Sequence, residues 1–125
     1  MDVNTASAEA ESFIFVDVRE GYEFDAGHIA GSIHIPMMEL PHRFDEIPRD
    51  RPIVAVCQIG QRSELAANFL TQQGFEAHNL EGGMAKWVAA GFPSQSGEGS
   101  EGRVVDGWAR DFDGLLKDRT EPEAK

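Results

Sequence analysis

Phe13-Ile14-Phe15-Val16-Asp17-Val18 is a nearly continuous apolar and β-branched run, the pattern of a strand buried on both faces of a parallel sheet. Ile53-Val54-Ala55-Val56 repeats that pattern. Between them, Ser32-Ile33-His34-Ile35 stopped by Pro36 reads as a short strand, and Met37 to Ile47 as a weaker helical pattern interrupted by Pro41. After Val56 comes Cys57-Gln58-Ile59-Gly60-Gln61-Arg62. Ser63 then stands as candidate N-cap of a helix with Leu65, Ala66, Phe69 and Leu70 on one face, ended by Gly74. Phe75 to Leu80 predicts a further strand, Gly82-Gly83 a turn, and Met84 to Ala90 a short helix closed by Gly91. Strands alternating with helices predict an α/β fold, a mainly parallel central sheet flanked by helices on both faces.

The same pattern divides the chain. Residues 1–11 form an N-terminal segment and 12–93 the domain. Ser94 to Gly102 contains no apolar residue and is rich in Gly and Ser, which predicts a flexible linker. In the C-terminal tail, 103–125, Val104, Val105, Trp108, Phe112, Leu115 and Leu116 recur at helical spacing and outline a candidate amphipathic helix. Gly107 and Gly114 each weaken that helix by about 1 kcal/mol relative to Ala, so it needs a surface to form on. Its own domain and a protein partner are the two surfaces available.

Charge narrows the function. There are 11 Lys and Arg against 22 Asp and Glu, a net charge of -11, and a field of that sign repels nucleic acid and anionic membrane. Small molecules and proteins remain as partners. No stretch approaches the roughly 20 apolar residues that span a bilayer. A single Cys excludes an internal disulfide, and Met1 to Ala10 shows no basic segment or apolar run of signal type, so the expected compartment is the reducing cytoplasm.

That cysteine gains meaning from its position. Cys57 ends a buried strand and a Gly-containing loop then opens a helix, which places the sulfur at the carboxyl edge of the sheet, where open α/β folds bind ligands. Successive backbone N–H groups in the loop and at the helix start form a concavity for negative charge. Both an oxyanion and the Cys57 thiolate could use it, and a thiolate held there needs no separate general base. Asp17 and Arg19 close the first strand at the same edge. Their two readings are a structural ion pair and, for Arg19, a place at the substrate entrance. His28, His34, His42 and His78 lie on separate elements without ligand spacing, so neither a metal nor a cofactor is expected.

The loop Cys57-Gln58-Ile59-Gly60-Gln61-Arg62-Ser63 resembles the active-site loop of the rhodanese family of sulfurtransferases. Asp17-Val18-Arg19, with Glu23, Phe24 and Gly27-His28-Ile29-Ala30-Gly31-Ser32, resembles the family's first signature. Gly82-Gly83-Met84-Ala85-Lys86-Trp87 with Ala90-Gly91-Phe92-Pro93 resembles its closing one. The resemblance runs from about Phe13 to Pro93. It implies a rhodanese module in which Cys57 takes a sulfane sulfur from a donor such as thiosulfate, becomes a persulfide, and passes the sulfur to cyanide or a thiol. Gln58, Ile59, Gly60, Gln61, Arg62 and Ser63 would form the cradle, Arg62 would assist donor binding, and Asp17 would hold neighbouring backbone. Related phosphatases place five residues between Cys and Arg, whereas Cys57 and Arg62 enclose four, a ring better suited to sulfur than phosphate. Two positions depart from the family pattern, Gln58 where Arg is frequent and Ala30 where Pro is usual. Without a cation at Gln58, attraction for doubly charged thiosulfate weakens. A persulfide carrier or protein-docking module with little thiosulfate activity is therefore the alternative, its protein thiol partner met through the C-terminal tail.

Overall fold

The computed structural model describes residues 1–97. Four parallel strands, β1 (Ile14–Asp17), β2 (Ile33–His34), β3 (Ile53–Val56) and β4 (Ala77–Asn79), lie in the order β2-β1-β3-β4. The helices are α1 (Val3–Ala8), α2 (Gly21–Ala26), α3 (Leu40–Arg43), α4 (Gln61–Gln72) and α5 (Gly83–Ala89). This is the α/β sheet that the alternating pattern predicts.

Side chains alternate across the pleat, so each apolar strand feeds two cores. Ile14, Val16, Ile53, Ala55 and Cys57 face one layer with Ala66, Ala67 and Leu70 of α4. Phe15, Val54 and Val56 face the other, with Val3 and Ala6 of α1 and Met84 and Trp87 of α5. Strands buried on both sides in this way have no room for polar alternation, which is why β1 and β3 read as continuous runs.

Several expectations are corrected. α4 begins at Gln61, not after Ser63, because Gly60 takes the N-cap position in the left-handed region (φ 101°). The buried stripe of α4 is Arg62, Ser63, Ala66, Ala67 and Leu70, while Leu65 is 62% exposed. The i, i+3, i+4, i+7 spacing from Ser63 generates that stripe and turns Leu65 outward. Pro41 does not interrupt a helix. It occupies the first turn of α3, where its missing N–H costs nothing, and 3₁₀ turns at Met37–Glu39 and Phe44–Glu46 flank it.

The N-terminal segment holds α1, capped by Asp2, whose carboxylate accepts the Thr5 N–H at 2.8 Å. The domain also extends past Pro93. Gln95 pairs with His28 through two backbone hydrogen bonds (2.9 and 2.8 Å), and Gly97 N–H donates to the Asp25 carbonyl at 3.0 Å. Residues 94–97 are thus fastened to α2 and its C-terminal end rather than free. The rest of the expected linker and the candidate tail helix lie outside the described residues. Among the described residues, no helix is long and apolar enough to cross a membrane.

Candidate active site

Parallel pairing sets Asp17 level with Val56 and Ala55 level with Asn79, so β1, β3 and β4 end together at one edge. Cys57 is the next residue after β3 and is completely buried. Three donors converge on its Sγ: the Gly60 N–H at 3.1 Å, the Ser63 N–H at 3.3 Å and the Ser63 hydroxyl at 3.2 Å. A thiol offers one weak proton of its own, whereas a thiolate offers only lone pairs, so this donor set matches a negative sulfur. The left-handed Gly60 turns the loop back over the sulfur. A Cβ there would come within 3.1 Å of the Gly82 nitrogen.

The loop is held from below by α5. Met84 N–H donates to the Cys57 carbonyl at 2.9 Å and Ala85 N–H to the Gln58 carbonyl at 3.0 Å, which employs two amides that a helix start leaves without intrahelical partners. This approach needs a glycine. Gly83 has φ 60°, and a Cβ on it would fall 2.4 Å from the Cys57 carbonyl oxygen. A Gly-Gly pair that reads in sequence as a turn is therefore also the floor of the site.

Both arginines of the expected site are paired. Arg62 meets Glu23 of α2 end-on, Nη1 to Oε1 at 3.0 Å and Nη2 to Oε2 at 2.9 Å, with both side chains buried. Arg19 is fully buried and grips Asp17 through Nε (2.9 Å) and Nη2 (2.8 Å). Its Nη2 also donates to the Gly27 carbonyl at 2.7 Å, and Nη1 reaches Gln58 Oε1 at 3.3 Å. Asp17 accepts the Arg19 backbone N–H at 3.1 Å, the backbone contact expected of it. Of its two readings, then, Arg19 takes the ion pair, and being fully buried it does not line an entrance. Arg62 likewise spends its guanidinium on a carboxylate rather than facing outward. Ile59, 37% exposed, and Gln61 are the outward-facing residues of the loop, while Gln58 is buried.

The structure also makes contacts that motif spacing does not show. Glu23, 39 positions before Arg62, is its counter-ion. Asn79, at the end of β4, accepts the Ser63 hydroxyl through Oδ1. Phe24 is stacked between His28 (3.8 Å) and His34 (4.4 Å), while His28 Nδ1 bonds the Phe24 carbonyl and His34 Nε2 the Arg19 carbonyl. These histidines brace the segments before and after α2 that carry Arg19 and Gly27. Among the described residues no three His, Cys, Asp or Glu gather in a metal-holding group.

The family model for the rhodanese-like domain matches residues 3–90. The chain belongs to the rhodanese family. It is 39% identical over 93 residues to a sulfurtransferase of Allochromatium vinosum, covering 74% of this chain and 87% of that one. It is 40% identical over 83 residues to the thiosulfate sulfurtransferase GlpE of Shewanella oneidensis, covering 66% and 82%. Among solved structures, a rhodanese-related protein from Thermoplasma volcanium superimposes with a TM-score of 0.73 at 33% identity, over 75% of this rhodanese and 94% of that chain. The family match begins at Val3, so it takes in the α1 that the sequence patterns assign to no element.

Proposed function

We propose that this rhodanese is a sulfurtransferase that carries sulfane sulfur as a persulfide on Cys57. The observation that carries the reading is the ring of three donors aimed at one buried sulfur. The Sγ thiolate attacks the outer sulfur of a donor such as thiosulfate. A new S–S bond forms, the donor's S–S bond breaks, and sulfite leaves with its electron pair. An acceptor such as cyanide or a thiolate then attacks the outer sulfur, and Sγ departs as the thiolate it was. The N–H groups of the cradle hold negative charge at both ends of the cycle. The relatives named as sulfurtransferases, one of them a thiosulfate sulfurtransferase, support the same chemistry. A reducing compartment, the cytoplasm, keeps the one cysteine as the thiol this cycle requires.

A second reading has its own observation. The two guanidiniums at the loop are each matched by a carboxylate, so these four groups present no net charge to a dianionic donor. That favours a persulfide carrier fed and emptied by thiols, with residues 103–125 engaging a protein thiol partner. Intact mass after incubation with thiosulfate, or with glutathione persulfide, tests both. The parent gains one sulfur atom, released by cyanide, and Cys57→Ser gains none while keeping its circular dichroism. Loading by the persulfide alone selects the carrier. Equal loading of Cys57→Ser overturns both.

A further inference from the structure

The Ser63 hydroxyl is asked for by two acceptors. Its oxygen lies 3.2 Å from Cys57 Sγ and in a short hydrogen bond with Asn79 Oδ1, and it has one proton to give. Ser63 is completely buried, so that proton has no water to turn to, and a buried donor left without an acceptor is costly. We infer that Asn79 is a positioning residue, a second acceptor that receives the Ser63 hydrogen bond whenever Cys57 Sγ carries no charge, and so opposes thiolate formation through Ser63. The inference rests on Cys57 being the reacting atom.

The sulfur-transfer cycle supplies the reason for two acceptors. In the resting thiolate, Sγ is the stronger acceptor and the hydroxyl turns to it. When the outer sulfur bonds to Sγ, the negative charge moves outward, Sγ becomes a neutral disulfide-type sulfur, and the hydroxyl swings to Asn79. When the acceptor removes the outer sulfur, the electron pair of the broken S–S bond returns to Sγ and the hydroxyl swings back. No proton leaves Ser63 at any stage. The hydroxyl reorients, and Asn79 ensures that each orientation is satisfied. The strand that carries Asn79 is fixed by Leu80 N–H donating to Ala55 carbonyl at 3.0 Å, so the second acceptor stays in place as the charge moves.

The charged groups around this unit are the Asp17–Arg19 pair, joined to the loop through Gln58, the Glu23–Arg62 pair, and exposed Glu64 on the first turn of α4. On either side of Asn79, His78 turns to Glu76 and Glu81 to the N-terminal ammonium. All are common to the variants below; only Asn79→Asp adds a charge, and the Ser63→Ala background separates that charge from the hydroxyl.

The chain has one cysteine, so ultraviolet thiolate absorbance followed against pH, with the matching Cys57→Ser trace subtracted to remove Tyr22, reports Cys57 and needs no sulfur donor. Ser63→Ala removes a donor from the thiolate and raises the midpoint by about one pH unit, a tenfold change in the thiol–thiolate ratio. Asn79→Ala frees the hydroxyl for the thiolate and lowers the midpoint. Asn79→Asp keeps an acceptor in the same place, makes it a stronger rival, and raises the midpoint more when the Ser63 hydroxyl is present than in the Ser63→Ala background, where its charge alone acts. In the Ser63→Ala background, Asn79→Ala has no further effect. A midpoint unmoved or raised by Asn79→Ala, or lowered equally with and without Ser63, overturns the inference. If Asn79→Ala does not fold, Asn79→Asp carries the test, and a rise equal with and without the Ser63 hydroxyl, or no rise at all, is equally fatal. The measurement reads the thiolate and not its sulfur transfer, so a rhodanese that fails to load sulfur leaves this result standing on its own.

Discussion

Two arginine clusters of the same chemistry sit in opposite surroundings. At the site, Arg62 and Glu23 meet through two parallel hydrogen bonds with both side chains buried. At the end of α3, Arg43 spans Glu39 and Glu46 from the surface, with its own side chain 35% exposed and both carboxylates more so. The bonding is alike and the environment is not. Water screens the α3 cluster and its side chains give up entropy to stay in register, so the geometry adds little to stability. The buried pair has already lost its hydration, so removing either partner is costly. The arginine of the Cys57 loop therefore works as a fixed post, tying the start of α4 to α2, and not as a free positive charge awaiting an anion.

The largest effect follows from breaking the buried pair on one side only. Glu23→Gln takes the carboxylate charge out of the Arg62 pair and also weakens the capping box in which Glu23 accepts the Glu20 N–H. The expected loss is about 3–5 kcal/mol by urea unfolding, together with slower sulfur loading. Glu23→Leu with Arg62→Met sharpens the point, because an apolar pair of similar volume restores most of the stability without the geometry of the loop. Recovery of full sulfur loading in that double variant would show the pair to be dispensable.

A middle effect comes from moving the loop while leaving both ion pairs intact. Gly83→Ala forces a Cβ into the Cys57 carbonyl in a left-handed conformation, which costs about 1–2 kcal/mol for the backbone alone and displaces the sulfur from its donors. Sulfur loading falls more than thermal stability does, and unaltered loading would show that the close approach of α5 is not required.

The smallest effect belongs to the surface cluster. Hydrogen bonding to Arg43 holds the Glu46 carboxyl below its ordinary 4.5. A depressed folded value means that its small contribution is complete above pH 4.5 and fades as pH falls through the folded value. Arg43→Ala is expected to flatten this slight acid limb and to leave neutral stability nearly unchanged. A large neutral-pH loss would erase the contrast between the two clusters.

What was legible in the sequence was whatever short-range pattern controls. The runs of β1 and β3 announce themselves because both faces are buried, and the Cys57 loop because a strand, a glycine and a helix follow in order. α2 has no Ser, Thr, Asp or Asn at its start. Its capping box is made by Glu20 and Glu23, a pairing without the usual cap residue to announce it. α1 does carry an Asp cap, but six residues with only Val3 and Ala6 buried give too short a stripe to stand out. Nor does any spacing link Glu23 to Arg62 or Asn79 to Ser63. Those contacts come from strand order and register, which place separate stretches of chain at one edge of the sheet. The Gly82-Gly83 pair was the available clue to the floor of the site, since two adjacent glycines leave backbone free for close approach.

The pairing of Gln95 with His28, and of Gly97 with Asp25, also has a mechanical meaning. α2 is the helix that supplies Glu23, and the outgoing chain is buttoned to its end by three backbone hydrogen bonds. A cut after Pro93, the boundary suggested by composition, would unfasten it. Equally, tension applied at residue 97 is delivered first to α2, so the helix that holds the Arg62 post is also where the outgoing chain is anchored.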